Sequence, residues 1–207
     1  MYLLINIFFN HNQRHTLKIG LFFGSFNPIH IGHLIVANHF AQNAGLDQVW
    51  FTVSPQNPLK DSKELLDEQH RLNMVELAIE NNVSLKACDI EFHLPKPSYT
   101  IDTLYELKQQ FPENIWVLIM GADTVETLPK WKNFEELVSA YEILVYPRPN
   151  YPIDPAKLPT GIKLIHDVPV IDISATYTRT AIRSGKNCRY LLPEKVYEYI
   201  MQKGLYS

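Results

Sequence analysis

Cysteine is scarce in this chain, with only Cys88 and Cys188 among 207 residues. Two cysteines build no disulfide framework, and without a C-x-x-C pair neither marks a zinc clip, so a reducing, cytoplasmic compartment is expected. An excess of charge of one sign is also lacking. Nineteen basic and 22 acidic side chains leave a formal charge of −3 and a pI near 6.2. No overall basic field is there to hold a duplex through its phosphates, so nucleic acid is not an expected partner. Any anion must be gripped locally. Long hydrophobic runs are missing as well: Tyr2–Phe9 covers about eight residues, far below the roughly 20 that span a bilayer. That run has neither a basic leader nor a small-residue cleavage site, and the residues from His11 to His15 are polar. No membrane partner is expected, and residues 1–16 are set aside as a leader outside a single domain over 17–207.

What is present fits an ordinary folded domain. Apolar residues make up 46%, charged 20% and aromatic 12%, and a chain of this size buries about 70% of its unfolded surface, enough for a full core. From Leu17 onward one theme recurs, an apolar β-rich run followed by a helical stretch, which signals parallel strands joined by crossover helices. Strands are expected over Lys18–Phe23, Val49–Val53, Ser84–Phe92, Ile115–Met120, Glu142–Tyr146 and near Lys163–His166. Helices are expected over Ile31–Gln42, around Met74–Ile79, from Ile101 to before Pro112, over Glu135–Ala140, from Ala175 and from Pro193. The last two should stop near Gly185 and Gly204. The fold class is therefore α/β, a doubly wound parallel sheet. In such a sheet ligands bind beyond the carboxyl ends of the strands, so the strand-to-helix turns are where chemistry belongs.

The first such turn reads Gly24-Ser25-Phe26-Asn27-Pro28-Ile29-His30-Ile31-Gly32-His33. Gly24 permits a sharp turn or a close backbone approach. Pro28 cannot continue the strand, and Gly32 leaves room beside the helix start. His30 and His33, three apart, share one face of the first helical turn. Free N–H groups and the positive end of the helix favour phosphate there, and two imidazole donors strengthen the site. A zinc site would need a third ligand, and none is close in sequence. The second constellation is Ile173-Ser174-Ala175-Thr176-Tyr177-Thr178-Arg179, with Arg183 one turn further. Ser174 is a natural N-cap, so this is a second helix start offering N–H groups. Arg179 and Arg183 stand four apart on it, and a planar guanidinium grips phosphate oxygens bidentately.

Together, Gly24-x-Phe26-x-Pro28-x-His30-x-Gly32-His33 and Ile173-Ser174-x-Thr176-x-x-Arg179 resemble the signatures of the nucleotidylyltransferase superfamily. Within it the likeness is to bacterial nicotinate-nucleotide adenylyltransferases. Further matches are Arg71-x-x-Met74, Pro97-Ser98-Tyr99-Thr100, Gly121-Ala122-Asp123, Leu128-Pro129-x-Trp131, Arg148-Pro149 and Leu191-Leu192-Pro193, over about Leu17 to Tyr206. The resemblance implies a Rossmann-like fold and adenylyl transfer from ATP to nicotinate mononucleotide, giving nicotinate adenine dinucleotide and pyrophosphate. It implies ATP and nicotinate mononucleotide as partners and Mg²⁺ travelling with ATP, riding on phosphate oxygens and water with no dedicated protein metal site.

The same resemblance assigns His30 and His33 to the α- and β-phosphates, with Gly24, Ser25, Phe26 and Gly32 lining the ATP path. Ser174, Thr176 and Arg179 take the β- and γ-phosphates. Lys60, on the loop after the second strand, is expected to reach the phosphates as a point charge. For the pyridine end, Trp131 supplies a flat indole, Thr100 and the Tyr99–Thr100 backbone supply donors to the carboxylate, and Gly121 and Asp123 lie toward the ribose or a metal-bound water. The alternative structural reading of Asp123 is a cap on the helix that follows it. Three departures stand out. Ala175 replaces a second serine, Asn57-Pro58-Leu59-Lys60 lacks the Pro-Pro-His form of this loop, and residues 1–16 have no family counterpart. Because Leu17-Lys18-Ile19-Gly20 is similar to a family start, translation is expected to begin near Leu17 from a non-standard codon. The rivals are phosphopantetheine adenylyltransferase, which does not predict Ser98-Tyr99-Thr100 and Trp131, and a non-catalytic nucleotide sensor. Oligomeric state is not legible.

Overall fold

The computed structural model describes residues 16–56, 64–169 and 171–207. Among these, strands and helices alternate as β1 (Lys18–Gly24), α1 (Ile31–Asn43), β2 (Gln48–Val53), α2 (Glu68–Ile79), β3 (Leu85–Cys88), α3 (Thr100–Gln110), β4 (Ile115–Gly121), α4 (Ala122–Val125), α5 (Phe134–Ala140), β5 (Glu142–Tyr146), β6 (Ile162–Leu164), α6 (Ala175–Arg183) and α7 (Glu194–Lys203). The strands form one sheet in the order β3-β2-β1-β4-β5-β6, with every pairing parallel. This is the doubly wound arrangement expected from the alternating pattern. From β1 the chain moves outward through β2 to β3, then returns to lay β4 on the other side of β1. Connections leave β1 and β4 toward opposite edges, which opens a crevice at their carboxyl ends.

Side chains alternate along each strand, so both faces of the sheet must be covered. Ile19 and Leu21 of β1 pack on one face with Leu104, Leu107, Trp116 and Leu118. Phe22 points to the other, joining Val36, Phe40, Phe51 and Ile119. Two covered faces explain why β1 and β4 read as unbroken apolar runs. Phe40 of α1 is fully buried, and cutting it back to alanine is expected to cost about 3–5 kcal/mol.

Helix ends follow local chemistry. Asp67 accepts the Gln69 amide at 2.9 Å and starts α2, and Ser174 accepts the Tyr177 amide at 3.1 Å and starts α6. Gly204 ends α7 in the left-handed region at φ +62°, where a side chain would be strained.

One expected strand is corrected. Ser84–Phe92 does not run extended: β3 stops at Cys88 and the chain turns into a 3₁₀ segment over Ile90–His93. As an edge strand β3 pairs only with β2, from Val49 to Thr52, and the turn carries Ile90 and Glu91 inward, both buried. Among the described residues no helix is long and apolar enough to cross a membrane. The leader, except for Thr16, lies outside the described residues.

Candidate active site

The crevice between β1 and β4 is a cleft of about 530 Å³. Both turns singled out in the sequence open onto it: His30, His33, Ser174, Thr176 and Arg179 all stand in its wall. Gly24, Ser25 and Phe26 line it from the end of β1, and Gly121, Asp123 and Trp131 from beyond β4.

His30 is the N-cap of α1, and its amide donates to Nδ1 of His33 at 3.2 Å. A ring nitrogen that accepts an N–H carries a lone pair, so this bond assigns the His33 proton to Nε2 and makes that edge a donor. The two imidazoles stack with centroids 3.6 Å apart and planes 20° from parallel. His30 is only 4% exposed. Burial, reinforced by the nearby Arg148 charge, pulls its pKa from 6.5 to about 4, so it is neutral at pH 7 and still carries one N–H. Gly32 keeps this seat open: a Cβ there would approach His30 Nδ1 to 3.1 Å. Phe26 sits at φ +44° and turns its ring edge-on to His33 at 5.2 Å. Holding a bulky residue at positive φ costs on the order of 1–3 kcal/mol, a strain found where surroundings fix a functional turn.

Arg179 projects from the first turns of α6 back to the β1 loop. Its Nη1 donates to the Asn27 carbonyl at 2.9 Å, and its Nη2 lies 3.2 Å from Glu64 Oε2. Thr176 Oγ1 is 3.4 Å from the same Nη2. Arg183 does not reach the cleft wall; it pairs with the other Glu64 oxygen at 3.2 Å. Hydrogen bonds from Arg179 first, then Arg183, hold the Glu64 carboxyl below its usual range.

At the β4 end the backbone comes unusually close to three side chains. A Cβ on Gly121 would overlap Asp123 Oδ1 and press on Arg148 Cγ and Tyr146 Cζ, each 3.2 Å away. Asp123 and Arg148 stand 3.8 Å apart. No side-chain cap is formed at the start of α4, so the capping alternative for Asp123 finds no bond. Burial pushes the Tyr146 hydroxyl up to about 12. Arg148 and Tyr146 both line the cleft. Neither was assigned a role from sequence, although Arg148-Pro149 was among the matched segments.

Two predicted positions stand elsewhere. Tyr99 and Thr100, at the start of α3, are not in the cleft wall; Lys132 Nζ lies 5.1 Å over the Tyr99 ring. Lys60 lies outside the described residues.

The cleft brings several cationic and N–H-bearing side chains together beside two carboxylates, Glu64 and Asp123. His30 Nδ1, Trp131 Nε1, Arg148 Nε and Arg179 Nε are all buried without a hydrogen-bond partner, and all four residues line the cleft. Buried polar nitrogens left without a hydrogen bond are rare and call for an explanation. Cations and donors converging on one opening suit an anion rich in oxygen acceptors. Among the described residues no three His, Cys, Asp or Glu side chains cluster as metal ligands.

The family model for cytidylyltransferase-like proteins matches residues 21–181. A Flavobacterium johnsoniae protein named "Probable nicotinate-nucleotide adenylyltransferase" is 49% identical over 92% of this chain and 100% of its own length. A Bacteroides fragilis protein of the same name is 47% identical over 90% of this chain and 92% of its own. Among solved structures, Plasmodium falciparum nicotinic acid mononucleotide adenylyltransferase complexed with NaAD superposes with a TM-score of 0.79 at 22% identity, covering 93% of this chain and 98% of that one. That last likeness is one of fold.

Proposed function

The chain belongs to the cytidylyltransferase-like family, and on that premise we propose that it transfers the adenylyl group of ATP to nicotinate mononucleotide, releasing pyrophosphate and forming nicotinate adenine dinucleotide on the way to NAD. The name shared by its relatives at 47–49% identity carries the choice of substrates. The observation that carries the chemistry is the gathering of His30, Trp131, Arg148 and Arg179 around one cleft, each with a buried nitrogen that no hydrogen bond satisfies.

The reaction needs no protein nucleophile. A 5′-phosphate oxygen of nicotinate mononucleotide attacks the α-phosphorus of ATP in line, and the α–β bridging P–O bond breaks with its electron pair leaving on pyrophosphate. Charge builds on the α-phosphate and on the leaving group, so positioned donors are what the protein must supply. His33, through Nε2–H, and neutral His30 fill that role at the start of α1. Arg179, with Ser174, Thr176 and the amides opening α6, takes the β- and γ-phosphates, and Arg148 adds a second guanidinium. Gly24, Ser25, Phe26 and Gly32 shape the ATP path. Lys60 contributes a further positive charge. Mg²⁺ bound with ATP would supply charge neutralisation on the phosphate oxygens, and Asp123 is the carboxylate that would order its water shell or hold the acceptor's ribose.

Trp131 supplies a flat face for the pyridine ring and Gly121 allows close approach; Thr100 and the Tyr99–Thr100 backbone stand outside the cleft wall, and their role as donors to the carboxylate rests on the family likeness alone. An acid meets charge-assisted bonds there that an amide does not, which favours nicotinate over nicotinamide. A reducing cytoplasm suits the two free cysteines, both buried.

The test is an assay of pyrophosphate release from ATP and Mg²⁺ with three acceptors. Release with nicotinate mononucleotide well above that with nicotinamide mononucleotide or phosphopantetheine is expected. Preferential release with phosphopantetheine would replace the acceptor, and no release with any of the three would overturn the reading in favour of a nucleotide sensor.

A further inference from the structure

The turn between β1 and α1 is held by contacts from far along the chain. Arg71, on α2 and 1% exposed, is bound by four backbone carbonyls. Its Nε donates to Leu66 at 2.9 Å, its Nη1 to Ser25 and Ser54 at 2.7 Å each, and its Nη2 to Pro55 at 3.1 Å. Two residues after Ser25, Asn27 is buried as well, at 5% exposed, and three partners hold its carboxamide. Its Nδ2 donates to the Glu64 carbonyl at 2.9 Å, and its Oδ1 accepts from the Leu66 amide at 3.4 Å and from the Tyr206 hydroxyl at 2.8 Å. A backbone carbonyl only accepts and a backbone amide only donates. Glu64 and Leu66 therefore fix which carboxamide atom is oxygen, and Tyr206 is the donor in the third bond.

Tyr206 reaches this loop across 179 residues of chain. Beyond α7, Gly204 at φ +62° and Tyr206 at φ +66° both take the left-handed region, and the Leu205 amide donates back to Ile200 at 3.0 Å, so the chain turns at the helix end. A tyrosine is strained in that region and stays there only where its surroundings fix it. Here Leu205 and Tyr206 pack against the core on the Phe22 face of the sheet, and the hydroxyl is tied to Asn27. The backbone of Asn27 has its own partner: its carbonyl accepts Arg179 Nη1 at 2.9 Å. Asn27 and Arg179 both line the cleft, whereas Tyr206 stands outside its wall.

We propose that Tyr206 is a positioning residue for the phosphate end of the cleft: its hydroxyl holds Asn27, and the Asn27 carbonyl sets the direction of the Arg179 guanidinium. The proposal rests on the adenylyl-transfer reading above. A guanidinium is a planar fork, so turning it at Nη1 re-aims every other N–H it carries. Without the hydroxyl, Asn27 Oδ1 keeps only the longer Leu66 bond among the described residues. A buried acceptor short of a donor is costly, and the loop relieves that cost by shifting Asn27 together with the carbonyl that Arg179 uses. Misplacing a phosphate ligand by about 1 Å costs up to roughly a hundred-fold in rate.

The experiment compares wild type, Tyr206→Phe, Asn27→Ala and the double variant. It reads the Kd of a non-hydrolysable MgATP analogue by titration calorimetry, kcat, KM for nicotinate mononucleotide, and the thermal midpoint. Tyr206→Phe keeps the ring in the core and all four Arg71 bonds. It is expected to weaken the analogue roughly ten-fold and to lower kcat by a similar factor, with KM for nicotinate mononucleotide held within about two-fold. In the Asn27→Ala background it should add nothing, because the link is already broken. Unchanged analogue affinity in Tyr206→Phe overturns the proposal, and so do losses that multiply in the double variant. Equal weakening of both substrates together with a lowered midpoint shows a packing role and overturns it too. If Asn27→Ala does not fold, Tyr206→Phe alone decides. A wild type that binds the analogue but releases no pyrophosphate with any acceptor sinks the adenylyl-transfer reading, while the affinity comparison still decides the role of Tyr206. A wild type that does not bind the analogue overturns both.

Discussion

Arg179 Nη1 donates to the carbonyl oxygen of Asn27 at 2.9 Å, across 152 residues of chain. The bond ties the first turns of α6 to the loop that leads into α1, and so turns two helix beginnings toward one cleft. It occupies one guanidinium nitrogen and leaves Nη2 to Glu64 on the exposed side. An incoming triphosphate competes with that exposed carboxylate, whose pairing is weak in water, and not with the buried carbonyl. On the proposed reading Arg179 is both anchor and phosphate ligand.

His33→Ala removes a donor whose proton is fixed on Nε2 by the His30 amide. Turnover is expected to fall about a hundred-fold or more, with the fold kept, in line with the loss of one transition-state donor. Steady-state kinetics beside a circular dichroism melt checks this; an unfolded variant would support a packing role instead.

Trp131→Ala is expected to raise KM for nicotinate mononucleotide roughly ten-fold while sparing KM for ATP, since the indole is assigned to the pyridine ring alone. Equal loss of both substrates in the same assay would remove that assignment.

Gly121→Ala places a methyl group against Asp123, Arg148 and Tyr146 at once. Overpacking of this kind costs about 1–3 kcal/mol, and here the yielding atoms are the cleft's own. Acceptor binding, followed by titration calorimetry, is expected to weaken more than the thermal midpoint falls. A variant with wild-type affinity would show that Asp123 and Arg148 need not hold these positions.

The buried His30 gives folding a pH signature. Its pKa falls from 6.5 to about 4 on burial beside Arg148, so between those values the unfolded chain binds a proton that the folded protein refuses. Stability therefore holds above about pH 6.5 and declines as pH falls toward 4, by on the order of 3 kcal/mol from this group. Urea midpoints over that window should slope less steeply in His30→Gln than in wild type. Parallel slopes would show that His30 does not titrate in this way.

The sheet was legible because its signals are local and repeated. Glu142–Tyr146 reads as a strand and is one; Ser174 reads as a cap and accepts the Tyr177 amide. The two histidines and Arg179 stand at helix starts and open onto one cleft, as their place in the sequence implied. What was not legible depends on contacts between distant segments. Nothing around Ile90–His93 signals that β3 must stop, because the cause is a buried carboxylate meeting hydroxyls at Ser98 and Thr103. Arg148 became a cleft residue only when β5 was laid beside β4, and Arg71 reads as an ordinary helix-surface arginine until its four carbonyl partners are known. The expected wall position of Tyr99 and Thr100 came from family resemblance, and the cleft wall of the described residues does not include them.

The most direct measurement is a crystal structure with a non-hydrolysable ATP analogue bound. The account predicts one triphosphate touched from both sides, with the His33 Nε2 edge and the Arg179 guanidinium each within hydrogen-bond distance of its oxygens. Phosphates bound at only one of the two helix starts, with the other facing solvent, would contradict it.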